Sequence, residues 1–263
     1  MSAPDSTANS KPTIAELRAR SQPPGLLDRR SGEHWAGVLY LRTFSPYLTR
    51  LLLPTGISPN AITGLMILTG LAGAVVVALV AGIVGAIVSA LLVQLYMLLD
   101  CVDGEVARWT GNTSTAGIYL DRVGHYLCEA ALLAALGLRG SELHADGWAV
   151  LGLTAALGAV LIKAETDLVD VARARDHKKA VQDTASVPRT GGMALARQVA
   201  MLFRFHRLIL AVELSLLIVV AAVIDAVRGD LVATHVLIVV TVVVAAAQLV
   251  AHLVSVLTSS RLR

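Results

Sequence analysis

The sequence predicts an all-α integral membrane protein with six transmembrane helices preceded by an interfacial amphipathic helix. Three observations predict it. Long apolar runs recur along a chain of 263 residues that is 56% hydrophobic and only 16% charged, and a helix that crosses a bilayer needs about 20 mostly apolar residues. The apolar residues are chiefly Ala, Val, Leu and Gly, which let helices pack closely in lipid. Lys and Arg gather on one side of the runs, as they do in membrane proteins with a set orientation. The mean hydropathy of +0.70 argues against the one or two soluble domains that length alone would suggest.

The elements follow in chain order. Residues 1–32 are polar and rich in Ser, Pro and Arg, so they read as a disordered cytoplasmic tail, with no secretory signal. Residues 33–54 read as the interfacial helix. There Trp35, Tyr40, Phe44 and Tyr47 alternate with Arg42 and Arg50, a mixture suited to the membrane surface. Pro46 is expected to kink or end that helix. Residues 55–260 then hold the six-helix transmembrane domain, with spans at about 60–80, 84–108, 114–137, 147–172, 206–226 and 232–257. The second and third contain acids and an arginine, so lipid cannot surround them. Between the fourth and fifth, residues 173–203 read as a mobile solvated loop whose charge run is a solvated face, followed by an amphipathic stretch, Met193 to Phe205.

Charge sets the orientation. Of the 22 Lys and Arg, only Arg139 and Arg228 fall opposite the basic side, which places that side and both termini in the cytoplasm. A basic membrane face suits anionic headgroups and phosphorylated substrates. It does not point to nucleic acid, because no nucleic-acid fold accompanies it. The two cysteines, Cys101 and Cys128, are too few for a disulfide framework and read as packing residues.

Residues 100–125 are the informative stretch. Positions three and four apart share a helix face. Asp100, Asp103 and Ala107 therefore line one face, and Gly117, Asp121 and His125 line another. A hinge from Trp109 to Ala116 lets the second helix turn back beside the first. Three carboxylates and an imidazole then converge between two helices, and Gly104, Ala107 and Gly117 leave room for a ligand or a second backbone. Clustered acids repel unless a cation lies among them, and oxygen-rich sites suit magnesium, manganese or calcium. Such an ion holds a diphosphate and neutralises charge in phosphoryl transfer. The bland alternative is salt bridging to Arg108 and Arg122 at a cytoplasmic helix end.

The stretch resembles the signature of the CDP-alcohol phosphotransferase (phosphatidyltransferase) family, D-x-x-D-G-x-x-A-R followed after eight residues by G-x-x-x-D-x-x-x-D. Asp100, Asp103, Gly104, Ala107, Arg108, Gly117 and Asp121 match it with the family's spacing. Upstream, Pro59, Asn60 and Thr63 are similar to the family's Pro-Asn-x-x-Thr entry to its first span. The likeness covers roughly residues 35–260 in layout. One position departs from it: the last aspartate is His125 here.

The resemblance implies several roles. Asp100, Asp103 and Asp121 would hold one or two Mg2+ or Mn2+ ions on the diphosphate of CDP-diacylglycerol or another CDP-alcohol. Asp100, Asp103, Gly104, Ala107, Arg108 and Gly117 would bind the nucleotide. An alcohol acceptor would attack the phosphorus, and CMP would leave, in phospholipid biosynthesis. His125, with Asp121 the expected catalytic pair, would replace the family's base and lie near the metal; a histidine takes protons and ligates metals. A histidine merely satisfied in a helix interface is the plainer reading. Lys163 matches a Lys-Ala-Arg stretch of the phosphatidylinositol-phosphate synthases, with Glu165 in place of Arg. With Arg204 and Arg207 it would form an acceptor pocket, although positive-inside anchoring accounts for the arginines equally well. The resemblance also implies a homodimer, and the composition suggests a bacterial plasma membrane.

Two other functions fit the same residues. An aspartate-rich membrane prenyltransferase also grips a diphosphate through magnesium, but the Gly-x-x-Ala-Arg portion speaks against it. A catalytically impaired relative that binds CDP-alcohol or lipid is kept open by His125.

Overall fold

The computed structural model describes residues 12–22, 40–176 and 209–258. Every regular element among them is helical. They divide into two compact units, one drawn from Met1–Leu68 and Gln94–Gly124, the other from Thr69–Val93 and His125–Arg263.

The first unit begins with α1 (Ile14–Ser21), which lies inside the stretch that composition assigns to a disordered tail. Local chemistry accounts for it. Thr13 and Glu16 form a reciprocal capping box, with the Thr13 backbone N–H 2.7 Å from Glu16 Oε2 and the Glu16 N–H 3.2 Å from Thr13 Oγ1. Two orphan donors of the first turn are thereby satisfied. Arg18 and Arg20 sit in the last turn, where cations favour the helix dipole. Leu17 is fully buried.

Next comes α2 (Arg42–Leu52), which packs against α1. It is amphipathic: Ser45, Pro46 and Thr49 are buried, whereas Phe44, Tyr47 and Leu51 are exposed. The helix runs through Pro46 rather than ending there. A 3-10 turn over Leu53–Thr55 closes at Gly56, whose φ of +68° is the left-handed conformation that glycine adopts without a Cβ clash.

The helix α3 (Pro59–Leu79) starts with proline at a position that needs no N–H, and Ser58 Oγ accepts from the Ala61 N–H at 3.2 Å. Then α4 (Gly82–Thr110) ends at Gly111, φ +70°, and α5 (Thr115–Gly140) begins after Ser114, whose Oγ accepts from the Gly117 N–H at 3.0 Å. The hinge is thus shorter than the Trp109–Ala116 segment expected from sequence. These three helices contribute residues to both units.

The second unit adds α6 (Gly147–Arg175), α7 (Ala211–Arg228) and α8 (Val232–Thr258). In it α6 packs on α8, and α8 on α7. Small residues allow the approach: a Cβ on Gly137 would stand 2.7 Å from the Gly152 Cα, and one on Gly158 would stand 3.0 Å from the Ala245 Cβ. Asp225 caps the start of α8, accepting from the Ala233 N–H at 2.7 Å and the Thr234 N–H at 3.1 Å.

Among the described residues, four helices are long and apolar enough to cross a membrane: α3, α4, α6 and α8. Two of the six expected spans fall short on composition. Asp121, Arg122, His125, Glu129 and Arg139 interrupt α5, and Glu213, Asp225 and Arg228 interrupt α7. Arg204, Arg207, the first part of the expected interfacial helix and the stretch Met193 to Phe205 lie outside the described residues.

Candidate active site

A cavity of about 290 Å³ lies within the first unit. The α4 residues Asp100, Asp103, Gly104, Ala107 and Arg108 form one wall, because their three- and four-residue spacing puts them on one helical face. Gly117 and Asp121 of α5 face the same space, as do Asn60 and Thr63 of α3 and Arg42 of α2. All seven signature residues singled out from the sequence therefore line one cavity.

The acids differ in their surroundings. Asp100 and Asp121 each offer a carboxylate oxygen within 4.8 Å of one another. Ions that take oxygen ligands bind them at about 2.0–2.6 Å, so one ion fits between the two carboxylates. Their chemistry, hard anionic oxygen, matches magnesium or manganese. Asp103 is buried and accepts from Thr63 Oγ1 at 2.6 Å. That bond fastens the start of α3 to the motif helix. His125 stands one turn beyond Asp121 on α5.

A Cβ at either glycine would meet a different side chain. A Cβ on Gly117 would stand 2.9 Å from Asn60 Oδ1. A Cβ on Gly104 would stand 3.0 and 3.2 Å from Arg108 Nη1 and Nη2. The Arg108 guanidinium thus lies over Gly104. Arg108 Nε also donates to the Ser21 carbonyl at 2.5 Å.

Three features escaped the sequence reading. Arg42 was assigned to a surface helix, yet it lines the cavity. Thr63 was noted only as part of a helix entry, and its bond to Asp103 joins residues 40 positions apart. Glu105 lies inside the motif but points off the shared face. It is fully buried and accepts from Ser45 Oγ at 2.5 Å, Thr49 Oγ1 at 2.6 Å and Gln22 Nε2 at 2.8 Å. The available signal was Ser45 and Thr49, two hydroxyls at helical spacing on the buried face of α2.

In the second unit Lys163 forms an ion pair with Glu129 at 3.1 Å, and Glu129 is only 3% exposed. Glu165 accepts from or pairs with His252 Nδ1 at 2.9 Å, depending on the ring's protonation, and Tyr126 donates to Asp167 at 3.0 Å. Lys163 and Glu165 thus each have an oppositely charged or polar partner on another helix. His252, to which the sequence assigned nothing, holds Glu165.

Residues 56–174 match the family model for CDP-alcohol phosphatidyltransferase. A curated relative, the bifunctional IPC transferase and DIPP synthase of Thermococcus kodakarensis, is 28% identical over 137 residues. Those residues are 52% of this chain and 30% of that protein, so the chain matches under a third of its relative.

Proposed function

We propose, from the match of residues 56–174 to the CDP-alcohol phosphatidyltransferase family model, that the chain is a membrane transferase moving a substituted phosphate from a CDP-alcohol to an alcohol acceptor, releasing CMP. The donor we favour is CDP-diacylglycerol, which makes the reaction a step of phospholipid synthesis. One observation carries the reading: the seven signature residues share a single cavity in which Asp100 and Asp121 approach within 4.8 Å.

The roles follow from residue chemistry. Asp100 and Asp121, with Asp103 beside them, would hold Mg2+ or Mn2+. Bound there, the ion would neutralise phosphate charge as the bond to the leaving group breaks. Arg108 and Arg42 supply positive charge for the remaining phosphate oxygens, as arginine does wherever planar recognition of phosphate matters. Gly117, which has no side chain, leaves the cavity wall open beside Asn60. His125 takes the proton from the acceptor hydroxyl at its ring nitrogen. Catalysis then depends on positioning and charge rather than on a covalent enzyme intermediate.

In the membrane, α5 and α7 complete a six-span domain with α3, α4, α6 and α8. Glu129 and Arg139 of α5 and Asp225 of α7 are buried in protein, which spares those charges contact with lipid. The orientation we favour puts the cavity and both termini on the cytoplasmic side.

The test is CMP release by detergent-purified protein given CDP-diacylglycerol, Mg2+ or Mn2+, and a pool of alcohol acceptors. CMP formation that Asp121→Asn abolishes supports the transferase. Pyrophosphate release from a prenyl diphosphate would replace it with a prenyltransferase. Nucleotide binding without turnover, reversed by His125→Asp, would mark a relative that kept the site and lost the reaction.

A further inference from the structure

Pro46 sits inside α2 and has no N–H to give the carbonyl four residues earlier, which is that of Arg42. Gln22, the residue following α1, supplies the missing donor. Its Nε2 lies 2.9 Å from the Arg42 carbonyl oxygen and 2.8 Å from Glu105 Oε1. Beside it the Ser21 carbonyl accepts from Arg108 Nε at 2.5 Å. Arg18 donates to the Thr43 carbonyl at 3.3 Å, Arg20 lies 5.0 Å over the Trp109 ring, and Leu17 is fully buried.

These contacts converge on the two segments that carry Arg42 and Arg108 to the cavity. An eight-residue helix does not hold itself together in water, so α1 is ordered by what it docks against. The docking in turn constrains its partners. A bond at Nε fixes the plane of a guanidinium and leaves its two Nη groups to lie over Gly104 on the cavity wall. A bond to the Arg42 carbonyl steadies the first turn of α2 where proline has weakened it.

We infer that α1 is a positioning clamp: through Ser21 and Gln22 it orients Arg108 and Arg42, the cationic pair of the cavity wall, toward the diphosphate of a nucleotide ligand. The ligand's identity rests on the transferase reading above. Ser21 and Gln22 are positioning residues and touch none of the reacting groups.

The experiment uses the full-length protein in detergent and two probes: CDP with Mg2+, measured by calorimetry, and Mn2+ alone, measured by electron paramagnetic resonance. Gln22→Ala removes the side-chain bonds, and Leu17→Asp undocks the helix. Each is expected to weaken CDP about tenfold, the scale of a lost bond that orients a charged group, and to leave Mn2+ binding unchanged. On an Arg108→Ala background the Leu17→Asp effect shrinks, because the clamp acts through that arginine. Wild-type affinity for CDP in both variants overturns the clamp, and so does loss of CDP and Mn2+ together, which marks general damage. Wild-type protein that binds Mn2+ but no CDP sinks the transferase reading and, with it, the ligand assigned here.

Discussion

Thr63 Oγ1 donates to Asp103 Oδ2 at 2.6 Å, joining the first turns of α3 to the acidic wall of the cavity. Asp103 is buried, and a buried carboxylate that loses its donor bears the full cost of desolvation. Thr63→Val keeps the shape and removes the donor. It is expected to lower stability by about 1–3 kcal/mol and to reduce CMP release, and Thr63→Ser is expected to restore both. Thermal melting and a CMP assay on the two variants check this.

Asp100 and Asp121 are expected to act as one metal-holding unit. Asp100→Asn and Asp121→Asn should each abolish Mn2+ binding in a resonance titration, and the double variant should be no worse than either single one. Chelation of the wild-type protein should stop turnover, and Mn2+ or Mg2+ should restore it. Undiminished Mn2+ binding in either single variant would remove that acid from the metal site.

Gly117 faces Asn60 at a distance that admits no Cβ without movement. Gly117→Ala is expected to cost about 1–3 kcal/mol, the usual scale of overpacking, and to raise the KM for the nucleotide donor more than it lowers kcat. Asn60→Ala in the same chain frees the space, so the double variant should recover part of the melting temperature. Additive losses in the double variant would mean that the two residues do not compete for space.

Lys163 neutralises a nearly buried Glu129. Removing one partner of a buried pair leaves an uncompensated charge and costs about 3–5 kcal/mol. Lys163→Met should therefore destabilise strongly, and Glu129→Gln with Lys163→Met should recover most of the loss. If the double variant is stable and its KM for the acceptor is normal, Lys163 is a structural cation and not an acceptor ligand.

His125 is expected to work as a base only when its ring is neutral. The wild-type rate should fall toward acid pH as the ring takes a proton, and His125→Ala should lower kcat about 10²- to 10⁴-fold and flatten that acid limb. A variant that keeps both full turnover and the acid limb assigns the proton transfer to another group.

Much of the site was legible before folding because it is local. Asp100, Asp103, Gly104, Ala107 and Arg108 lie within nine consecutive positions, and helical periodicity alone puts them on one face. The spacing to Gly117 and Asp121 needs only a tight turn, which Gly111 and Ser114 provide. The helix α1 was hidden in a polar, proline-containing tail because composition averages over 32 residues, whereas a capping box is a relationship between two, Thr13 and Glu16.

The residue pattern by itself determined the helical class, four of the apolar spans and the acidic face, since each follows from the period of a helix and the length a bilayer demands. Only the tertiary structure decided which distant groups complete the site. Nothing in the order of residues states that Gln22 replaces the N–H missing from Pro46, that Arg108 lies over Gly104, or that Lys163 is paired with Glu129. Those contacts join positions 20 and 34 apart or settle which way a long side chain turns. Such choices follow from packing and from the need to satisfy every buried polar group, and both act only once the helices have met.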